Sequence, residues 1–281
     1  AHPDPTDGLG LGKLIHKYKA TILTGTSTFY RLYTKNTKVN PLMFDSLRLC
    51  IAGAEKLRED IRLDFKKKFG KDIVEGFGTT ETTPVTACNL PDVLGPDFIV
   101  QKGNKVGTVG MALPGTLLKI VDPNTFEELK VNEEGMLLIA GIQVMKGYLK
   151  DKEKTAKVLK EIDGHIYYIT GDKAKLDNDG FLTIVDRYSR FAKLGGEMVS
   201  LGAIEENISK VIELDENSQT DYIVTSIEDE KKGEKIVLLI SNVDKEFTDK
   251  LKEKMIASFS NKLMIPSLIK IVDEVPKLGT G

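Results

Sequence analysis

The stretch Leu47–Glu81, LRLCIAGAEKLREDIRLDFKKKFGKDIVEGFGTTE, decides the fold class. Leu47 to Ala52 is an apolar run of strand length, closed by Gly53. Glu59 to Phe69 carries apolar residues at helical spacing and is stopped by Gly70. Ile73 to Glu75 is a second short strand, and it delivers the loop Gly76-Phe77-Gly78-Thr79-Thr80-Glu81. Strand, helix, strand, loop is an α/β pattern, and such sheets take ligands beyond the carboxyl ends of their strands. The turn Gly53-Ala54-Glu55-Lys56-Leu57 and the Gly76 loop are therefore expected on one edge, facing one ligand. Two glycines around an aromatic ring let backbone amides approach a ligand closely. The threonine hydroxyls can donate to a phosphate oxygen, and Glu81 offers a hard anionic oxygen to a divalent cation. An aromatic face, donors and a metal ligand in one loop point to a nucleotide site. The plainer reading is a threonine-rich turn after a strand.

Upstream, Leu9 to Tyr18 has helical spacing, Thr21 to Gly25 is a short strand, and Ser27 to Tyr33 is a helix capped by Thr26 or Ser27. His2 and Asp7 match the His-x4-Asp spacing with which glycerolipid acyltransferases orient a general base. Their Pro-Asp-Pro-Thr spacer offers no apolar bed, so an exposed terminus is the preferred reading.

Downstream from Val106 the character changes. Gly107 to Gly110, Leu117 to Val121 and Gly135 to Ala140 read as short strands separated by turns, a small antiparallel or barrel-like unit. Gln143 to Leu149 ends it, and Asp151 to Leu159 is a charged helix. Tyr167 to Asp172 follows, with Asp172 placed after a glycine where a carboxylate can accept from vicinal sugar hydroxyls; an ordinary Gly-Asp turn is the alternative. Asp177-Asn178-Asp179-Gly180 is a hairpin turn and lacks the remaining ligand spacing of a calcium loop. A basic, then glycine-rich run, Asp186 to Glu197, leads into an α+β unit. Its elements are a helix over Ala203 to Ile212, strands over Tyr222 to Ser226 and Ile236 to Ser241, a helix over Phe247 to Leu263 and a strand over Leu268 to Val272.

The chain has 281 residues, enough for about two domains. Lys and Arg total 40 against 42 Asp and Glu, so nothing electrostatic points to nucleic acid as a partner. Lys66, Lys67 and Lys68 read as the solvated face of a helix. Cys50 and Cys88 form no CxxC pair and read as reduced structural thiols in a cytoplasmic setting. No apolar run nears the ~18 residues of a membrane span.

The order of the motifs is more specific than any one of them. GAEKL, GFGTTE, YITGD, DRYSRFAKLGGEMVSLGAIE and PKLGTG together resemble the AMP-forming adenylating superfamily of acyl-CoA synthetases, peptide-synthetase adenylation domains and luciferases. Within it, AGAEKL, RFAKLGGEMVS and PKLGTG look most like the acyl-ACP synthetase half of the bacterial bifunctional 2-acylglycerophosphoethanolamine acyltransferase/acyl-ACP synthetases. The resemblance implies an α/β plus α+β fold. Residues 1–187 would be the C-terminal part of the large adenylate-binding domain, an α/β sheet with a small β-barrel-like unit. Residues 188–281 would be a small mobile α+β domain.

The resemblance also implies roles. Phe77, where the family has Tyr, would stack on adenine; Gly78 and Thr79 belong to the same nucleotide loop. Thr80 would bind the α-phosphate and Glu81 would hold Mg²⁺. Gly53, Ala54 and Glu55 would line the adenine and acyl pocket. Asp172 would grip the ribose hydroxyls, helped by Arg187. Ser189 stands where the family has an Asp or Lys hinge. Lys193, Gly195 and Gly196 would line the channel for a pantetheine arm. The implied reaction joins a fatty acid to acyl carrier protein or CoA through acyl-AMP, using ATP and Mg²⁺, with lysophospholipid re-acylation at the inner membrane as its setting.

Two family elements have no counterpart here. No segment from Ala1 to Arg48 matches the Ser/Thr/Gly-rich loop that wraps the β,γ-phosphates. The catalytic Lys that follows PKLGTG in the family would lie one residue past Gly281. The expectation is a piece of a longer enzyme that does not by itself make acyl-AMP. An adenylation domain for amino or aryl acids, and a non-catalytic nucleotide-binding or carrier-docking module, stay open as alternatives.

Overall fold

The computed structural model describes residues 4–194, 197–213, 218, 220–229 and 233–276. His2, Gly195, Gly196 and the PKLGTG run beyond Pro276 lie outside the described residues. The chain divides into two compact units, Ala1–Val185 and Asp186–Gly281, a division two residues before the one expected from the sequence.

The first unit opens with α1 (Gly8–Tyr18), β1 (Ile22–Gly25), α2 (Ser27–Lys35), β2 (Leu49–Ala52), α3 (Glu59–Phe69) and β3 (Ile73–Phe77). Asp7 caps α1 by accepting from the Gly10 amide, and Thr26 caps α2 by accepting from Phe29. Gly70, with φ of 66°, ends α3 in the left-handed conformation that glycine adopts most cheaply. The Lys68 ammonium is 2.7 Å from the Asn36 carbonyl and 2.8 Å from that of Thr34, and so closes the end of α2.

β1, β2 and β3 pair in parallel, in the order β1-β2-β3. β4 (Ala87–Cys88) and β7 (Met111–Ala112) extend that sheet antiparallel beyond β3. The core against the helices is aromatic: Phe44 stacks on Phe69 with centroids 4.6 Å apart, and Tyr30 meets Phe65 edge-on at 5.1 Å. Two expected features differ. Gly76 and Phe77 belong to β3, where they pair with Cys88 and Ala87, so the loop begins at Gly78. Gly107 to Gly110 is not a strand; Gly107 and Gly110 take φ of 84° and 88°, which a strand excludes.

Between β4 and β7 a separate hairpin rises, β5 (Val93–Leu94) and β6 (Val100–Gln101). Next comes an antiparallel sheet of β8 (Thr116–Val121), β9 (Gly135–Gly141), β10 (Leu159–Ile162), β11 (His165–Leu176) and β12 (Leu182–Arg187). Its order is β10-β11-β9-β8, with β12 on β11. α4 (Lys152–Val158) precedes β10 and is capped by Asp151. Gly171-Asp172, for which an ordinary turn is the alternative reading of the sequence, is an irregularity inside one long strand: the β11–β9 register shifts between Ile169 and Lys173.

The second unit holds β13 (Phe191–Leu194), β14 (Glu197–Ser200), α5 (Leu201–Val211), β15 (Tyr222–Asp229), β16 (Gly233–Ser241), α6 (Lys245–Ser258) and β17 (Leu268–Val272). Its sheet runs β14-β13-β16-β15, and β17 joins β16 in parallel. Ile204, Ile208, Leu238, Ile240 and Met255 are buried at its centre. α6 stops at Ser258, short of the expected Leu263: Phe259 takes an extended backbone, and Asn261 caps a separate short turn by accepting from the Leu263 amide. Among the described residues no helix is long and apolar enough to cross a membrane.

Candidate functional site

The parallel register fixes the first part of the site. Ala52 lies opposite Glu75, so Gly53 and Gly76 follow at the same level beyond it. A Cβ on Gly53 would sit 3.5 Å from the Gly76 carbonyl oxygen, so the two backbones are in contact distance. The sheet thus brings the Gly53 turn and the start of the Gly76 loop to one edge. Ala54 holds φ of 68°, a left-handed conformation that costs an alanine about 1 kcal/mol. The turn is anchored by carboxylates on both sides. Glu75 accepts from the Leu57 amide at 3.3 Å, and burial pushes its pKa up. Glu55 turns toward the start of α2, where it accepts from the Thr28 amide at 2.6 Å.

Gly78 is obligatory. A Cβ there would fall 1.7 Å from the Pro84 carbonyl oxygen. That close approach folds the loop back on itself. The Thr79 amide donates to the Thr82 hydroxyl at 3.0 Å, and the Thr86 hydroxyl donates to the same oxygen at 2.9 Å. Thr82 and Thr86 are fully buried, whereas Thr80 is exposed at the turn. Phe77 is half-buried, its ring packed on the cluster of Ala87, Ile120, Leu137, Ile139, Ala174 and Leu182.

Glu81 is braced by residues that the sequence did not single out. The Tyr148 hydroxyl donates to its Oε1 at 2.7 Å, and the Met145 amide donates to its backbone carbonyl at 2.8 Å. Thr83 donates to the Gln143 carbonyl at 2.9 Å, so the loop is docked on the Gln143–Tyr148 segment. Burial pushes the Glu81 pKa up, but hydrogen bonds from Tyr148, its own backbone amide, Thr79 and Tyr168 outweigh it and hold the carboxyl below its ordinary value. In return the bond to Glu81 pushes Tyr148 up to about 12. Burial, then the Glu81 charge, pushes Tyr168 up to about 12. The only sequence signal for Tyr148 is a Gly-Tyr at the end of a β-rich run, which spacing alone does not connect to a loop 67 residues earlier.

Tyr168 sits on β11, and so does Asp172, within the irregularity. Gly171 takes φ of 76°, and the Thr170 hydroxyl donates to Leu137 and accepts from the Asp172 amide, each at 2.9 Å. Asp172 is 2 % exposed, so its carboxylate lies in a dry setting where hydrogen bonds to it are strong.

The remaining candidates lie in the second unit. Arg187, Ser189 and Lys193 are exposed. Around them the polar side chains serve that unit's own fold. Asp186 accepts from the Ser200 hydroxyl and from the Gly202 amide, which pins the start of α5. Arg190 pairs with Glu205 at 2.6 Å, and Glu205 also accepts from the Val224 amide.

Among the described residues no three carboxylate, imidazole or thiol side chains converge on a point. A single carboxylate at Glu81 fits Mg²⁺, which is commonly held by one or two carboxylates together with phosphate oxygens and water.

A parallel three-stranded edge followed by an antiparallel sheet and an α+β unit is the mixed architecture of adenylate-forming enzymes, of whose chains it covers about half. The AMP-binding enzyme family model matches residues 2–149, and the chain belongs to that family. It is 29 % identical to a long-chain-fatty-acid–CoA ligase of Bacillus subtilis (strain 168), over 99 % of this chain and 46 % of that one. It is 31 % identical to 4-coumarate–CoA ligase 2 of Nicotiana tabacum, over 96 % and 48 %. The crystal structure of ATP-bound MatB from Rhodopseudomonas palustris matches with a TM-score of 0.78 and 25 % identity, over 99 % of this chain and 51 % of that one. The chain spans about half the length of the curated relatives it matches.

Proposed function

We propose that this chain carries adenylate-handling parts of an ATP-dependent, AMP-forming ligase that joins a fatty acid to a pantetheine thiol. The observation that carries the reading is the Gly78–Glu81 loop. It presents an exposed Thr80 hydroxyl beside a carboxylate kept anionic by Tyr148, at the edge shared with the Gly53 turn. Thr80 would donate to an α-phosphate oxygen. Phe77 would offer adenine the ring surface not packed on the core. Asp172 would accept from ribose hydroxyls. Mg²⁺, held at Glu81, would neutralise charge that builds on the phosphates. A carboxylate oxygen then attacks the α-phosphorus of ATP and the bond to pyrophosphate breaks; a thiolate next attacks the acyl carbonyl and expels AMP. CoA or acyl carrier protein is the acceptor. Re-acylation of lysophospholipid on the cytoplasmic side of the bacterial inner membrane is the setting we propose. An aryl acid is the second reading, favoured by the 4-coumarate–CoA ligase relative.

Calorimetric titration with AMP tests the nucleotide site. Binding is expected to weaken about tenfold or more in Thr80→Ala and in Asp172→Asn, the loss of one or two charge-assisted contacts. Binding unchanged in both folded variants would overturn the assignment. Non-hydrolysable dodecanoyl and coumaroyl adenylate analogues then separate the two substrate readings: the fatty-acid reading requires the dodecanoyl analogue to bind more tightly.

A further inference from the structure

One stretch of chain grips Glu81 at both ends. The Met145 amide donates to its backbone carbonyl at 2.8 Å, and the Tyr148 hydroxyl donates to its Oε1 at 2.7 Å. Thr79 and Tyr168 add side-chain hydrogen bonds to the same carboxylate. A glutamate on a loop normally turns freely about its last bonds; this one is held from three separate segments, the loop itself, the Gln143–Tyr148 run and β11.

Tyr148 is locked before it reaches Glu81. Its amide donates to the Thr155 hydroxyl at 2.9 Å, and that hydroxyl donates to the Asp151 carbonyl at 2.7 Å. A Cβ on Gly147 would lie 2.7 Å from Thr155 Cγ2, so the turn packs tightly on α4. The Lys154 ammonium lies 4.3 Å from the centre of the Tyr148 ring. A cation over the ring draws electron density from it, which makes the phenol a stronger donor. Tyr148 itself is only partly buried and, among the described residues, belongs to none of the apolar clusters of its unit. Its hydroxyl, more than its packing, is what the fold has placed.

We propose that Tyr148 is a positioning residue that restricts Glu81 to a one-oxygen grip on its divalent cation, and so selects Mg²⁺ over Ca²⁺. The proposal rests on the nucleotide-site reading above. Ca²⁺ gathers roughly six to eight oxygens and often takes both oxygens of a carboxylate. Mg²⁺ keeps several waters and is satisfied by one carboxylate oxygen together with phosphate. With Oε1 engaged by the phenol, a two-oxygen grip has to compete with that bond, whereas a one-oxygen grip leaves it whole. Among the described residues no group of three or more carboxylate, imidazole or thiol side chains stands by to supply what the larger cation lacks.

The full 281-residue chain is titrated calorimetrically with the Mg²⁺ complex of ATP, with its Ca²⁺ complex and with metal-free AMP. The parent is expected to prefer the Mg²⁺ complex. Tyr148→Phe is expected to lower the Mg²⁺-to-Ca²⁺ affinity ratio about tenfold, the usual scale for losing a hydrogen-bond partner of a metal ligand. Its affinity for metal-free AMP is expected to stay that of the parent. Glu81→Gln keeps the shape and removes the charge, and is expected to abolish the preference; it carries the test even where Tyr148→Phe does not fold. The parent's ratio in folded Tyr148→Phe, or in Glu81→Gln, overturns the proposal. An equal loss of all three ligands in Tyr148→Phe also overturns it, as the mark of a loop that has merely come undocked. A parent that binds AMP but takes both ATP complexes alike, or neither, sinks this proposal alone. A parent that binds no nucleotide at all sinks the nucleotide reading and this proposal with it.

Discussion

The Gly78–Thr83 loop of the first unit and the Asp186–Leu194 segment of the second were both legible as ligand-binding stretches, yet the fold uses them differently. In the first, the polar groups that hold the loop and those it presents are separate. Thr82 and Thr86 are buried and bonded inside, Thr80 faces out, and Glu81 is steadied from a distant segment by Tyr148. In the second, Asp186 and Arg190 are tied to α5, and what is exposed between them is Arg187 and Ser189. A motif residue therefore has to be sorted by what its side chain already holds before it is given a ligand.

The contrast can be broken most directly at Gly78. Gly78→Ala drives a methyl into the Pro84 backbone and is expected to destabilise the first unit by about 3 kcal/mol or more, read in denaturant melts. A change below about 0.5 kcal/mol would mean that the loop repacks freely and that its hydroxyl network is not rigid. In the second unit, Asp186→Ala removes two bonds at the head of α5 and is expected to cost about 1–2 kcal/mol, while Ser189→Ala costs almost nothing. Equal effects would erase the distinction between the residues that build the segment and the one it exposes.

The smallest effect sharpens the role of Tyr148. Because the Glu81 pKa is lowered by folding, its contribution is fully present above the ordinary value of 4.5 and is lost as pH falls through the depressed native value. Tyr148→Phe is expected to cost below about 1 kcal/mol at neutral pH, for a bond partly open to solvent. It should also flatten the acid limb of stability against pH. An acid limb identical to the parent's would show that Tyr148 does not hold the carboxylate.

Local rules explain why some elements were legible. α3 has an apolar stripe and a glycine stop, β2 and β3 are short apolar runs, and the Asp177–Gly180 turn has hairpin chemistry. Elements set by partners far along the chain were not. Gly76 and Phe77 join β3 because Ala87 and Cys88 arrive to pair with them. β10 is short, and its exposed Lys160 and Glu161 give no apolar alternation; it exists because β11 lies beside it. Within the candidate site, the loop and its glycines could be read from composition, but Tyr148 and Tyr168 reach it only through tertiary packing.

The buried Tyr30 has a consequence of its own. Its hydroxyl sits 2.8 Å from the Leu23 carbonyl and 3.0 Å from that of Ile51, and so fastens β1 to β2 from inside the aromatic core. Burial, with the neighbouring Cys50 and Tyr33, raises its pKa far above the ordinary 10.0. Its contribution is whole below that value and drains away as the solution becomes strongly alkaline. A phenolate there would face two carbonyl oxygens it can no longer donate to. Base is thus set to separate the outermost parallel strand from its neighbour, at the clasp beneath the edge that carries the Gly53 turn.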